Sequence, residues 1–174
     1  MHAASRLRSF AVPAFATLLL AGCFNAPPQE QRPVPPARDM VAAIRAAGAS
    51  EQSVIDVAPL RDPGVTALQE AAQADERAGR YAEAAARLDQ ALKLSPDSPD
   101  LLQDRAEVAV RLHDYATAER LARQSWSLGP QLGRLCARNW QTVVEMRLAA
   151  GDEAGAAAAR KGVQDCHKEG VPRY

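Results

Sequence analysis

The sequence is poor in the residues that carry chemistry. It has three histidines and three cysteines in 174 residues, no glycine-rich loop of the kind that cradles phosphate, and no motif presenting an activated nucleophile. Past the first segment only His113 and His167 remain, one at a turn signal and one near the end of the chain. Each reads as a solvated residue rather than a general base. A redox catalyst wants a closely spaced cysteine pair, and there is none. An enzyme is therefore not expected, nor a metal or organic cofactor. An excess of one charge is also lacking, with 21 basic against 21 acidic residues, alternating in sign along the helical stretches. That excludes the clustered basic footprint of a nucleic-acid-binding domain. After the first segment no apolar run approaches the roughly 20 residues needed to cross a bilayer.

The one apolar run stands at the start. Arg6 and Arg8 precede an apolar stretch from Phe10 to Leu20, and Ala21-Gly22-Cys23 follows. A basic segment, a short apolar core and small residues before a cut define an export signal, and the core is too short for a permanent span. Leu20-Ala21-Gly22-Cys23 matches the bacterial lipobox. Residues 1–22 are expected to be removed and Cys23 to receive the lipid, palmitate among its acyl chains. An ordinary secretory signal in which Cys23 is incidental is the alternative. Each buried methylene contributes about 0.8 kcal/mol, and two or more chains hold a protein stably on a membrane, so the anchor would be lipid alone. In enteric-type bacteria an Asp directly after the lipidated cysteine retains a lipoprotein in the inner membrane. Phe24 stands there instead, which implies the outer membrane, with the domain facing the periplasm. Removing the leader takes Arg6 and Arg8 from the balance and no acidic residue, leaving a formal charge of −2.

Residues 23–37 read as the lipidated cysteine and a tether, since NAPPQEQRPVPP, from Asn25 to Pro36, has almost nothing to bury. In polyproline II form, at about 3.1 Å per residue, it would hold a domain some 35 Å from the bilayer. Residues 38–61 follow as a short helix and a loop. Met40, Val41 and Ile44 fall at helical spacing within Arg38 to Ala47, which reads as a helix that docks on the domain, and residues 48–61 read as a loop or short turn.

From residue 62 to about 170 the chain is alanine-rich with a 3.6-residue apolar period. An offset of 34 pairs Tyr81 with Tyr115, Ala84 with Ala118, Leu94 with Leu128 and Pro96 with Pro130. Small residues recur where paired helices must approach closely (Ala72 with Ala84, Ala106 with Ala118), and the two tyrosines plug the turns. Asp62-Pro63 and Ser98-Pro99 read as capped helix starts, and Gly129-Pro130 as a stop. In a third unit Trp140, Val143, Val144 and Leu148 form an apolar face, Gly151-Asp152 makes the turn, and Ala156 opens the next close-packed row. Its offset is 38, with the four additional residues near Gln131 to Arg134.

This pattern, carried by GRYAEAAARLDQALKLSPDS and HDYATAERLARQSWSLGPQ, resembles the tetratricopeptide repeat family. The resemblance implies an all-α fold, a short α-solenoid of about three helical hairpins over residues 65–98, 99–132 and 137–170.

Cys136 lies 15 residues before the turn at Gly151, and Cys166 lies 13 residues after Glu153 on the returning helix. Antiparallel helices of equal rise bring the two side by side, and an oxidising periplasm favours a disulfide. Free thiols, or a metal site joining them with His167, are the other readings.

The family resemblance implies a face lined by the first helix of each unit, which commonly receives a peptide. Its groove positions here are Gln69 and Gln73, then Gln103, Glu107 and Arg111, then Arg138, Gln141 and Glu145. Gln69, Gln103 and Gln141 form a column of amides, offering both donors and acceptors to a partner's backbone. A plain solvated helix face is the other reading. The basic residues that grip a terminal carboxylate in chaperone-binding members are not at these positions. Similar repeat lipoproteins serve outer-membrane barrel assembly, pili and cell-wall enzymes, which implies an interaction module that scaffolds an envelope complex through another envelope protein or peptide. A module binding a small ligand or peptidoglycan fragment, and an accessory subunit for one enzyme, are the alternatives.

Overall fold

The computed structural model describes residues 38–51 and 60–168. The expected export signal, Cys23 and tether, and residues 52–59 of the expected loop, lie outside the described residues. Within them stand seven helices: α1 (Met40–Ser50), α2 (Pro63–Arg77), α3 (Tyr81–Leu94), α4 (Pro99–Arg111), α5 (Tyr115–Leu128), α6 (Gly133–Ala149) and α7 (Glu153–Asp165). Helices α2 to α7 pair as three antiparallel hairpins, each stacked on the next through α3 with α4 and α5 with α6.

Local chemistry accounts for most of these boundaries. The Asp62 carboxylate accepts from the Gly64 N–H at 2.7 Å, capping α2 with Pro63 in its first turn. Asp114 and Asp152 cap α5 and α7, accepting from Thr117 N–H at 3.2 Å and Gly155 N–H at 2.8 Å. Ser98 does not act as the sequence suggests. Its hydroxyl bonds the Asp100 carboxylate at 3.1 Å and leaves the start of α4 without a side-chain cap.

The hairpin turns are alike. Each ends its first helix with one residue in the left-handed region, Gly79 at φ 75°, His113 at 60° and Gly151 at 72°. The residue after it returns a backbone bond to the last turn of the helix: Arg80 to Asp75, Asp114 to Ala109 and Asp152 to Arg147, each 2.9 Å. This closes the helix ends in the manner of a Schellman motif. The third turn therefore matches the first two despite its different offset. The four additional residues are one turn added to the start of α6, which has 17 residues against 13 in α4.

Ala72, Ala84, Ala106, Ala118 and Ala156 are all buried at the helix crossings, where a small side chain lets backbones approach. Val65, Leu88, Leu101 and Val108 fill the first hairpin and its junction with the second, with Tyr81 packed at the edge. In the third hairpin the Trp140 ring lies over Gly162, where a Cβ would come within 2.3 Å of it. The added turn of α6 ends on Cys136, which is joined to Cys166 with Cα atoms 5.6 Å apart. Gly133 N–H also donates to the Cys166 carbonyl at 2.9 Å.

Helix α1 is not part of any hairpin. Asp39 caps it by accepting from Ala42 N–H at 3.0 Å, and it lies across α6 and α4.

Candidate functional site

The face shared by α2, α4 and α6 is where a groove is expected, and α1 fills much of it. Val41 and Ile44 of α1 are 1% and 0% exposed, packed with Ala109 and Val110 of α4 and Met146 of α6. Gly48 lies so close to α6 that a Cβ would meet the Arg138 side chain at 2.6 Å and the Arg134 carbonyl at 3.1 Å. Ion pairs flank these contacts. Arg45 donates to Glu107 at 2.7 Å and to both oxygens of Glu76 at 2.8 Å. Arg38 donates to Glu145 at 2.7 Å, and Arg111 meets Asp39 at 2.9 Å.

The residues expected to be exposed for a partner are therefore largely engaged within the chain. Gln103 and Glu107 are fully buried and Glu145 is 2% exposed, a correction to their reading as open groove positions. Nor is the amide column free. Gln69 donates to Asp104 at 2.8 Å and accepts from Arg61. Gln103 donates to Glu107 and to Thr142, both at 2.9 Å, and Gln141 donates to Glu145 at 2.7 Å. Arg138 bridges Glu107 and Asp104, each at 2.8 Å. Burial opposes its charge, but Glu107 and Asp104 outweigh that and raise its pKa. Gln73 alone of the eight is exposed, on the rim of a hollow of about 490 Å³ between the end of α1 and α2.

Helix α1 docks on the domain as expected, but on the face where an open groove was expected. A signal was nonetheless present: Arg38 and Arg45, seven residues apart, share a helical stripe with Val41, Ile44 and Gly48, opposite glutamates on three first helices. His167 is also less isolated than expected, with Nδ1 3.0 Å from Glu51 just past α1.

A second concavity, a notch of about 220 Å³, opens between α5 and α6. Trp126 and Trp140 meet edge to face in it with centroids 5.3 Å apart, and Arg123 lies over the Trp140 ring at 5.7 Å. Asn139 lines it fully buried, with neither end of its amide hydrogen-bonded. Among the described residues no cluster of His, Cys, Asp or Glu could hold a metal ion, and no helix is long and apolar enough to cross a membrane.

Stacked helical hairpins whose first helices share one face, with no strand among the described residues, define a short α-solenoid. A family model for the tetratricopeptide repeat matches residues 77–138, from the end of α2 into α6. The globular C-terminal domain of LpoP from P. aeruginosa is similar at 33% identity and a TM-score of 0.57, covering 60% of this chain and 99% of that domain. The chain belongs to the tetratricopeptide repeat family. The first repeat domain of Spaghetti (RPAP3), solved with the HSP90 peptide SRMEEVD, shares the fold at 20% identity and a TM-score of 0.55, over 62% of this chain and 84% of that one. No curated protein matches the chain.

Proposed function

We propose that this protein is a lipid-anchored interaction module of the bacterial envelope, held on the outer membrane through Cys23 and facing the periplasm, where it scaffolds or helps assemble an envelope complex. The observation that carries this reading is the order of parts along one chain. A lipobox at Leu20-Ala21-Gly22-Cys23 and a proline-rich stretch from Asn25 to Pro36 precede a repeat domain similar to the C-terminal domain of LpoP. A repeat array of this kind offers surface rather than a reaction centre.

The anchor is tested by labelling cells with an alkyne analogue of palmitate. Wild-type protein takes up the label and sediments with outer membranes, and Cys23→Ser does neither. Equal labelling of both would remove the anchor from this reading. Photocrosslinking from exposed Gln73 and Ser127 in the native membrane then tests the module. One dominant envelope protein is expected, and no capture from either site in folded, lipidated protein would remove the scaffold.

The notch favours a second reading, a small-ligand site, because the Asn139 amide has no protein partner there. Asn139→Leu separates the two. A buried amide without partners costs about 1–3 kcal/mol, so a purely structural Asn139 predicts a more stable variant that retains its crosslinked partner.

A further inference from the structure

The notch between α5 and α6 shares no lining residue with the hollow beside α1, so it is a separate concavity. Both tryptophans of the chain stand in it. Trp126 and Trp140 meet edge to face, and both pack on the buried cluster around the Cys136–Cys166 bridge, which fixes the walls. Gly162 lies against the Trp140 ring, where any Cβ would displace the indole. Ala122 and Val143 add to an apolar lining. Asn139 departs from it. Its carboxamide, fully buried on α6, offers two N–H donors and an acceptor, and neither end has a protein partner.

The ligand class follows from what this lining can satisfy. Among the described residues no acidic side chain lines the notch, so a cation would find no counter-charge there. Its one base, Arg123, is already paired with Glu119 at 2.8 Å, so an anion gains little. The fitting ligand is therefore neutral. A wholly apolar one would stack on the indoles and leave the buried amide unfilled, a cost that binding would not relieve. A volume of about 220 Å³ lies below the range of drug-sized ligands and admits one ring. A pyranose meets each condition. Its C–H face lies on an indole, and adjacent hydroxyls, each both donor and acceptor, span the two ends of a carboxamide.

We propose that the notch is a saccharide subsite for one neutral pyranose ring, stacked on the indoles and hydrogen-bonded through adjacent hydroxyls to Asn139. This rests on the small-ligand reading of the notch and names its ligand class. Arg123 lies over the Trp140 ring at 5.7 Å, half-exposed and held by an i,i+4 pair with Glu119 of the kind that contributes little. It is the side chain that swings aside to uncover the ring and the amide behind it. The same ring chemistry is offered by N-acetylated glycan of the cell-wall type and by plain glucose oligomers, and the two are separated by the choice of probe.

The test titrates the full-length protein with two probes, the tetramer of N-acetylglucosamine and the glucose tetramer maltotetraose. It reads the fluorescence of the two tryptophans together with the Asn139 side-chain NH2 signal by NMR. At least one probe is expected to bind in the millimolar range or more tightly, shifting both signals, and the probe that binds tells which kind of glycan is the source. Asn139→Leu, close in size, and Ser127→Phe, which fills the mouth from an exposed position, are each expected to weaken binding about tenfold or more. The second variant carries the test if the first does not fold. A fluorescence change that a folded variant leaves unaltered is stacking on an accessible indole and overturns the proposal, as does the absence of binding by both probes. Cyclohexanol, a neutral ring with a single hydroxyl, separates the two levels of the reading. If it shifts the Asn139 signal and neither sugar does, the small-ligand reading stands and the saccharide subsite falls. If none of the three binds, both fall.

Discussion

The Arg45 guanidinium donates to the Glu107 carboxylate at 2.7 Å across 62 positions of sequence, and Arg138 takes the other oxygen of the same carboxylate at 2.8 Å. One fully buried acid thereby joins the N-terminal helix to the second and third hairpins. Removing one member of a buried ionic cluster leaves the others uncompensated, at a cost of about 3 kcal/mol or more. Glu107→Ala is expected to lose that much in urea unfolding, mainly through the stranded Arg138. A loss below about 1 kcal/mol would mean that water reaches the cluster and that the pair behaves as an exposed one.

The Asp39 end of α1 should respond to acid. The Asp39 carboxyl titrates below its ordinary 3.8 chiefly because the Ala42 N–H favours its charged form; burial opposes this, and Arg111 adds to the lowering. A group whose folded value is depressed stabilises above its unfolded value, and that stability is lost as pH falls through the folded value. NMR signals at the Asp39 end of α1 should therefore shift as pH falls below about 4. Asp39→Asn should flatten that change. General acid loss should persist in the variant, because Arg87 and Arg80 depress Asp75, and the caps at Thr117 and Gly155 depress Asp114 and Asp152. Release of α1 on raising the pH to 8 would contradict this account.

His113 occupies a place that glycine takes in both sister turns, at φ 60° against 75° and 72°. A side chain there costs about 1 kcal/mol relative to glycine, partly offset by the 2.9 Å contact of its Nδ1 with the Tyr115 hydroxyl. His113→Gly should raise the melting temperature by a few degrees. A lower melting temperature would show that the contact with Tyr115 outweighs the backbone term.

The Cys136–Cys166 bridge spans 30 residues, a loop for which chain entropy gives about 3–4 kcal/mol. Reduction, or the double change Cys136→Ser with Cys166→Ser, should lower stability by roughly that amount. Loss of helix is expected first at the added turn of α6 and the end of α7. Thiol titration of unreduced protein should find neither cysteine reactive, and reactive thiols in protein purified from the periplasm would contradict the bridge.

The helices, the cap at Asp62 and the repeat were legible in the sequence because they rest on short-range regularities, whereas Ser98 turned to Asp100 instead of capping α4. Small residues recur at an offset of 34, and an Asp followed by Pro opens a helix. The added turn of α6 was visible as four residues that the offset could not absorb. Of the two places expected, the connection or the helix start, the structure shows the helix start, held to the end of α7 by the disulfide and the Gly133 bond to Cys166.

The candidate site was much less legible. Gln103, Glu107 and Glu145 are polar, stand on the face expected to be open, and read from sequence alone as groove residues. Only the tertiary structure buries them, because their partners Arg38, Arg45 and Thr142 come from 35 or more positions away, as the separations of 107, 62 and 39 residues show. Periodicity reports which way a side chain points from its own helix. What it meets there depends on long-range packing, and here that is a helix of the same chain.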